Sequence, residues 1–407
     1  MSKTASAAVP AAVTVFPVLF AISVVHLLND TMQSTVSALF PILRESQHLS
    51  FGQIGLIAFV MNMTASLLQP LVGLYSDVKP RPYILPLGVC FTLIGVFSLA
   101  LAPNFATVLL SVVSLGIGSA VFHPESSRVA YLAAGNNRGL AQSIFQVGGN
   151  IGSSLGPIMT ALIFVKIGQH GVMWFVIAAV LGILIQFFVA RWYAGSSSAP
   201  RSGARRQTAT IDTADRLPRR TLTLALTILV LLVFSKHVYI SSITSFYSFY
   251  LIDDYGVSVD GAQWYLFAFL AASAVGTFFG GPLADRFGRR SIIWLSILGT
   301  APFSLLLPYA NLFWSGVLVV CAGFVLSSAF SIIVVYAQEL LPGKVGLVSG
   351  LFFGLAFGLG GLGSALLGTI ADATSIAFIM KLCAFLPLIG LFAILLPKDR
   401  RLRNAAA

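Results

Sequence analysis

Ionisable and polar side chains recur at one helical spacing inside a long apolar stretch near the amino terminus. His26, Asp30 and Gln33 are separated by four and three residues, and Asn29 and Ser37 continue the same helix face. An ionised group at the centre of a bilayer costs roughly 2.5–3.5 kcal/mol. Such groups persist where they face a cavity and act there, so this stripe is a candidate for reversible protonation and for binding a polar ligand.

A second set of candidates lies in a later apolar stretch, where Lys236 and His237 are followed by Tyr239 and Tyr247. Lys236 comes 206 positions after Asp30, close to the offset of an internal repeat described below. We predict that Asp30 and the Lys236/His237 pair form an intramembrane charge pair, in which Asp30 exchanges protons and the cationic side holds an anionic ligand. A static ion pair is the alternative.

Two further polar runs could line the same cavity. His123 and Glu125 near the end of an apolar stretch are candidates for a proton relay or a gate, and Arg128 either pairs with Glu125 or anchors the helix at the interface. A third stripe, at steps of four, comprises Gln142, Gln146 and Asn150. We predict ligand contacts for Asn29, Gln33 and this third stripe; hydrogen bonding between helices is the alternative.

The composition requires a membrane around these residues. Of the 407 residues, 57% are hydrophobic and 9% are charged, against about 25% charged in soluble domains. The net charge of +11 does not favour a nucleic-acid partner, because the basic residues lie in short loops between apolar stretches. Cys90, Cys321 and Cys383 are far apart within apolar stretches, which favours packed thiols over a disulfide or metal framework.

The apolar stretches predict an all-α integral membrane protein of twelve transmembrane helices, arranged as two pseudo-symmetric six-helix bundles. About 20 residues cross ~30 Å of hydrocarbon. The predicted spans are 16–40, 51–74, 83–102, 105–131, 139–165, 172–193, 221–251, 262–283, 291–310, 313–340, 345–371 and 376–396. We expect an amino-terminal bundle at 1–193, a polar linker at 194–220 and a carboxy-terminal bundle at 221–407.

Basic residues predict the orientation. With both termini in the cytoplasm, 20 of the 24 Lys and Arg residues lie on the cytoplasmic side, which is a strong positive-inside signal. The other four, on the outer side or within spans, are Arg44, Lys166, Lys236 and Lys381. The acidic loop residues Asp253, Asp254 and Asp260 then face outward, in agreement with this orientation.

A short glycine-rich and basic motif repeats between the halves. In the run 280–290 and its weaker copy at 73–81, Gly281 matches Gly73, Asp285 matches Asp77, and Arg289 matches Arg81. The motif resembles the signature of the major facilitator superfamily, found between helices 2 and 3 and again between helices 8 and 9. We predict a gating or structural role for Gly73, Asp77, Arg81, Arg128, Gly281, Asp285, Arg286, Gly288, Arg289 and Glu339.

Four longer runs narrow the resemblance to the fosmidomycin resistance protein group of that superfamily. They are His-Leu-Leu-Asn-Asp at 26–30, Val-Phe-His-Pro-Glu-Ser-Ser-Arg-Val-Ala at 121–130, Ala-Gln-Ser-Ile-Phe-Gln-Val-Gly-Gly-Asn at 141–150, and Tyr-Ala-Gln-Glu-Leu-Leu-Pro-Gly at 336–343. The resemblance implies efflux of phosphonate antibiotics, such as fosmidomycin or fosfomycin, in exchange for protons across a bacterial inner membrane. Proton coupling would rest on Asp30, His26, His123 and Glu125.

Three functions compete at this point. The residues themselves indicate a two-fold secondary carrier with acidic and cationic groups in its cavity, and they fit either a proton-coupled exporter or an importer of organic anions. A membrane-embedded enzyme or receptor lacks support, because the sequence has no His-Glu-x-x-His, no metal-spaced cysteine set and no Gly-x-x-x-x-Gly-Lys-Ser/Thr. The run 358–363 satisfies a dinucleotide-binding pattern, but it lies within an apolar span and no strand is predicted before it. We expect a monomer that binds a small molecule, protons and lipid, with no cofactor and no metal.

Overall fold

The computed structural model describes residues 14–78, 81–135, 138–197, 218–341 and 345–397, which form helices and turns with no strand among them. In lipid, each backbone N–H and C=O must be satisfied within its own segment, which a helix achieves. We number twelve helical segments in chain order. The first six are α1 (Phe16–Ala38, continued by Phe40–Gln47), α2 (Phe51–Val78), α3 (Ile84–Ala100), α4 (Phe105–Ala133), α5 (Arg138–Met159, continued by Thr160–Phe164 and Val165–Ile167) and α6 (Phe175–Ser197, preceded by Gln169–Trp174).

The second six segments follow residues 198–217, which lie outside the described ranges. They are α7 (Arg219–Ser242, continued by Ile243–Tyr247 and Ser248–Tyr255), α8 (Val259–Phe287), α9 (Arg289–Leu298, Ala301–Leu306 and Leu307–Tyr309), α10 (Leu312–Ser327 and Phe330–Leu340), α11 (Val345–Ala373) and α12 (Ile376–Cys383 and Leu386–Leu395). The predicted boundaries agree with these segments to within a few residues at most ends, while the predicted linker remains a prediction.

The all-helical membrane fold predicted from the sequence is confirmed. Ten helices in the described ranges are long and apolar enough to cross a membrane. The remaining two segments depart from that standard for local reasons. Segment α3 contains only 17 residues, and the polar stripe of α1 lowers the apolar content of that helix.

Four helices, α4, α8, α10 and α12, begin with side-chain caps at the same end of the bundle. Asn104 accepts a hydrogen bond from the Thr107 amide at 3.1 Å, which starts α4. The starts of α8, α10 and α12 are capped in the same way by the side chains of Ser258, Asn311 and Ser375. We call this end the capped end. At the opposite end, Gly288 adopts a φ of 88° between α8 and α9, a conformation that favours glycine and makes the tight turn of the repeated motif.

Many apolar side chains face outward, and the polar side chains at membrane depth are largely buried. Leu110 and Phe313 are 70% and 69% exposed, as lipid-facing positions require. In contrast, His26, Asn29 and Lys236 are at most 3% exposed. The polar groups predicted at membrane depth therefore lie inside the bundle, where hydrogen bonding or a cavity can accommodate them.

The two halves meet along two helix pairs, α2 with α11 and α5 with α8, which a six-helix repeat makes equivalent. In the first pair, Gly55 lies so close to the Ser364 backbone that a Cβ would overlap its carbonyl group. At the capped end, the Asp372 carboxylate of α11 accepts hydrogen bonds from the amides of Phe51 and Gly52 at 2.8 and 2.7 Å. Asp372 thus caps α2 from the other half and closes this end.

Arg44 adds a second contact across the capped end. Its guanidinium carbon lies 4.1 Å from the centroid of the Phe51 ring and 5.7 Å from that of Phe249. The two rings belong to opposite halves and meet edge to face, with centroids 5.2 Å apart. The arginine therefore joins α1, α2 and α7 in a cation–π contact.

Candidate functional site

Asp30 lies between two histidines inside the amino-terminal half. Its Oδ2 is 3.3 Å from His26 Nε2, one turn earlier on α1, and its Oδ1 is 3.5 Å from His123 Nε2 on α4. The two imidazole rings meet edge-on, with centroids 5.1 Å apart. The His26 side chain is 4% exposed, whereas those of Asp30 and His123 are 18% and 21% exposed. We call these three residues the acid–base cluster.

Helix α5 fixes the orientation of His26. The ring stacks on Phe145 with centroids 4.1 Å apart, and its Nδ1 lies 2.8 Å from the Phe145 carbonyl oxygen. A carbonyl only accepts, so Nδ1 carries hydrogen and donates it. Gly149 leaves the space for this ring, because a Cβ there would overlap it. The glycine-rich run of α5 therefore has a packing role beside the cluster.

Asn29 supports the carboxylate rather than lining an opening. Its Nδ2 donates a hydrogen bond to Asp30 Oδ1 at 3.1 Å, and its Oδ1 accepts one from the Thr92 hydroxyl at 3.3 Å. Asn29 has no exposed surface in this conformation. Both ends of the amide are occupied, so this geometry favours positioning of Asp30 over the ligand contact predicted for Asn29.

The same three side chains are close enough to be tested as a metal site, since their ligand atoms lie within 4.8 Å of one another. A metal ion would require those atoms to converge on one point. Instead, His26 and His123 meet different oxygens of the carboxylate. This geometry suits two hydrogen bonds better than shared ligation, and the expectation of no metal remains a prediction.

Lys236 lies in the other half, on α7, beside a cavity of about 220 Å³. The residue is 2% exposed, and its Nζ lies 5.4 Å from the centroid of the Phe330 ring. Among the described residues it has no carboxylate within ion-pair distance. A buried ammonium that faces a cavity, with no described carboxylate to balance it, is suited to bind an anion.

Both halves line this cavity. The amino-terminal half contributes Asn150 and Ser153 of α5, and the carboxy-terminal half contributes α7, α8 and α10. The lining residues from the latter are Lys236, His237, Ile240, Leu270, Ser273, Ala274, Thr277, Ser327 and Phe330. Three predicted ligand-binding residues, Asn150, Lys236 and His237, therefore share one cavity.

Other predicted ligand-binding residues lie elsewhere. Tyr247 is fully buried, and its hydroxyl is 2.8 Å from the Ser315 hydroxyl. Tyr239 is 2% exposed and also lies outside the cavity lining. Gln33 and Gln146 are half-buried on α1 and α5, likewise outside it. Gln142 belongs to the side chains that lie outside the described part of the protein.

The predicted ion pair between Asp30 and Lys236 is wrong for this conformation. The ion-pair partners of Asp30 are His26 and His123, and Lys236 lies within 4.0 Å of no carboxylate among the described residues. Equivalent positions in a two-fold repeat face the centre from opposite walls, which does not bring them into contact. His237 lines the cavity, and its Nδ1 donates to the Val233 carbonyl of its own helix at 3.0 Å, so the ligand contact predicted for it stays a prediction.

The predicted gating positions occupy helix ends and turns. Gly73 and Gly281 lie within α2 and α8, Gly288 forms the turn into α9, and Arg289 is the first residue of α9. Arg81 and Arg286 lie near Tyr75 and Phe287, at 5.9 and 5.3 Å from the ring centroids. Glu125 is buried on α4, and Arg128 is half-buried one turn later. The side chains of Asp77, Asp285 and Glu339 lie outside the described part of the protein.

The sequence analysis missed the small hydroxyl residues of the cavity. Ser273 and Thr277 are one turn apart on α8, and Ser327 lies opposite on α10. The Thr277 hydroxyl donates to the backbone carbonyls of Ser273 and Ser327 at 2.9 and 3.2 Å. Their spacing of four was a usable signal, although serine and threonine often satisfy themselves on their own helix.

Two six-helix halves around a shared polar cavity define a membrane carrier of the secondary-transporter class. The Major Facilitator Superfamily model matches residues 22–250 and 226–406, and the chain belongs to this family. It is therefore a multi-pass membrane transporter and not an enzyme, as the sequence predicted.

Relatives and solved structures agree with this assignment. The chain is 54% identical to the fosmidomycin resistance protein of Escherichia coli (strain K12), over 97% of this chain and 96% of that one. It is 48% identical to the uncharacterized MFS-type transporter YfnC of Bacillus subtilis (strain 168), over 96% and 95% of the two chains. The fold resembles a bacterial homolog of the human lysosomal transporter Spinster, with a TM-score of 0.72, 20% identity and coverage of 96% and 92%.

Proposed function

We propose that this transporter exports small anionic phosphonate antibiotics, such as fosmidomycin or fosfomycin, in exchange for protons across a bacterial inner membrane, with both termini in the cytoplasm. It acts as a monomer and needs no cofactor besides the proton gradient. Two observations carry the proposal together: an acid–base cluster in one half, and in the other half a buried lysine that lines a cavity and has no carboxylate within ion-pair distance among the described residues. The resistance named in the Escherichia coli relative supports the choice of cargo.

The lysine supplies the attraction for an anion. An ammonium group buried inside the bundle loses most of its hydration, and an incoming phosphonate restores a charge partner. Asn150 and Ser153 reach the same cavity from the other half. One small ligand can therefore contact both halves, as a carrier requires if binding is to favour closure around its cargo.

The acid–base cluster supplies the proton site. Protonation of the cluster makes the amino-terminal half more positive, and release makes it more negative. The cluster and the bound anion therefore influence each other through charge, and each conformation favours a different combination of proton and cargo. Competition of this kind converts a proton gradient into outward movement of the anion.

Contacts at the capped end hold that end closed, and their opening is the remaining step of the proposed transport cycle. The Asp372 cap and the Arg44 contact hold α1 and α2 against α7 and α11. In the proposed orientation this is the periplasmic end, so cargo enters from the cytoplasm in the present conformation. Export then requires both contacts to break while the opposite end closes.

Drug susceptibility with and without a protonophore tests the proposal. Cells that express the chain should tolerate more fosmidomycin than cells with an empty vector, and a protonophore should remove that difference. Resistance that survives uncoupling contradicts proton antiport. Greater sensitivity than the empty vector indicates instead a proton-coupled importer of organic anions.

A further inference from the structure

His123 has a hydroxyl partner at Nδ1, whereas no hydroxyl of the described residues contacts Nδ1 of His26. The His123 Nδ1 lies 3.0 Å from the Ser119 carbonyl oxygen and 3.1 Å from the Ser119 hydroxyl oxygen, one turn earlier on α4. The carbonyl can only accept a hydrogen bond, whereas the hydroxyl can donate one. A single residue therefore offers this ring nitrogen both an acceptor and a donor.

This arrangement accommodates both charge states of the ring. A protonated His123 donates from Nδ1 to the Ser119 carbonyl and from Nε2 to Asp30 Oδ1. A neutral His123 keeps its Nε2 hydrogen on Asp30, and its Nδ1 lone pair accepts from the Ser119 hydroxyl. In the step between them, one proton adds to Nδ1, the hydroxyl hydrogen turns away, and no heavy atom needs to move.

His26 cannot change state in this way. Its Nδ1 hydrogen is committed to the Phe145 carbonyl, so a neutral His26 would direct the Nε2 lone pair at Asp30 Oδ2, 3.3 Å away. If the carboxylate were ionised, an oxygen lone pair of Asp30 would then face the nitrogen lone pair of His26, and the two would repel each other. The contact between His26 and Asp30 therefore retains a proton, whichever of the two atoms carries it.

We infer that His123 is the group whose protonation changes during transport, that Ser119 is the positioning residue that permits this change, and that His26 and Asp30 share a proton that stays. This inference rests on the proposed proton antiport and goes beyond it by assigning the exchanging atom, His123 Nδ1. The exposure of the side chains agrees, because His123 is 21% exposed and His26 only 4%.

The electrostatic surroundings of His123 are simple in the described part of the chain. From α1, Asp30 and His26 face it, and from α11 the nearest ring is the uncharged Phe357, at 6.3 Å between centroids. No described side chain of α2, α3 or α5 at this depth is charged. Glu125 lies two residues later on α4, and Lys236 and His237 line the cavity in the opposite half.

The test compares Ser119→Ala with Ser119→Thr in the full-length protein reconstituted in liposomes. Fosmidomycin-driven proton movement is measured across a range of pH. Alanine removes the donor that stabilises neutral His123 but keeps the backbone acceptor of the protonated ring. The proton affinity of His123 should therefore increase, and the pH of half-maximal transport should rise by about 0.5 to 1 unit. Threonine keeps the hydroxyl and should retain the wild-type midpoint.

The outcomes separate the inference from the proposed function. If fosmidomycin moves no protons in the wild-type protein, proton antiport is wrong. If the wild type moves protons and the Ser119→Ala midpoint stays the same or falls, antiport stands and the assignment to His123 and Ser119 is wrong. An equal rise in both variants indicates a packing effect of the site and also overturns the assignment.

A second measurement does not depend on the variants. Nitrogen chemical shifts of ¹⁵N-histidine in the wild-type protein report which ring nitrogens carry hydrogen. We expect neutral His123 to carry it on Nε2 and His26 to keep it on Nδ1 throughout the titration. A neutral His123 with hydrogen on Nδ1 contradicts the inference, even if Ser119→Ala fails to fold.

Discussion

The two halves of this transporter handle charge in opposite ways. In the amino-terminal half, Asp30 is surrounded by His26, His123 and Asn29, so each of its oxygens has a partner. In the carboxy-terminal half, Lys236 is buried beside a cavity, near the Phe330 ring and without a described carboxylate partner. The first arrangement is complete without a ligand and suits a proton, whereas the second would be completed by the anion of the proposed function.

The largest expected effect comes from a substitution in the acid–base cluster of the amino-terminal half. Asp30→Asn removes the negative charge between two histidines, so neither ring retains its ionic partner. Fosmidomycin resistance should fall to that of the empty vector, and proton movement in liposomes should disappear. Asp260→Asn, at an exposed residue near the start of α8, is the matched control and should behave as wild type. Resistance in the Asp30 variant would contradict a coupling role for this carboxylate.

The next effect concerns the opposite half. Lys236→Gln removes the cavity cation but keeps a side chain of similar length. Because a hydrogen bond to a charged group contributes about 1.5–3 kcal/mol, the binding affinity for fosmidomycin should decrease about 10- to 100-fold. Calorimetry on the purified protein measures this change. Lys381→Gln, an exposed lysine near Tyr309, controls for net charge and should bind normally. Equal affinities in the two variants would place the anion elsewhere.

A smaller effect tests how the acid–base cluster is held. Gly149→Ala introduces a Cβ that overlaps the His26 ring, and such overpacking costs about 1–3 kcal/mol. We expect a lower melting temperature together with an altered pH profile of transport. Gly195→Ala, where nothing lies within 4 Å of the added Cβ, should change neither. If the variant loses stability but keeps the wild-type pH profile, Gly149 contributes to packing and has no effect on proton exchange.

The smallest effect concerns the contact that joins the halves. Asp372→Ala removes the carboxylate cap of α2, which contributes about 1 kcal/mol. The conformation open at the capped end should become about five times more populated. Electron–electron distances between spin labels at positions 45 and 374, in a background without the native cysteines, measure this shift. Ser375→Ala removes a cap within one half and should leave the distance distribution unchanged.

The sequence was sufficient for the membrane fold, because hydropathy and helix length are properties of continuous stretches. It also identified every member of the acid–base cluster, because burying an ionisable residue in an apolar helix costs free energy and such residues are therefore rare and easy to recognise. It did not give the pairing. Which residue meets Asp30 depends on how α1 packs against α4, and the repeat offset suggested Lys236, which faces the centre from the opposite half.

The cavity was harder to predict for a different reason. Ser273 and Thr277 are small and only weakly polar, so they do not interrupt the apolar pattern of α8. Conversely, Tyr239 and Tyr247 looked like ligand contacts but are buried in packing between helices. A polar side chain on a helix indicates that the helix has an inner face, while the depth and the neighbours of that face depend on three-dimensional packing.

In the proposed transport cycle, the lysine without a described counter-charge would make the carrier sensitive to membrane voltage. A protonated Lys236 gives the empty transporter a charge that a bound monoanion neutralises. Because the potential acts with about 2.3 kcal/mol per elementary charge per 100 mV, it biases the return of the empty carrier far more than the movement of the loaded one. The electrical component of the proton-motive force would then act mainly on the step in which no drug is carried.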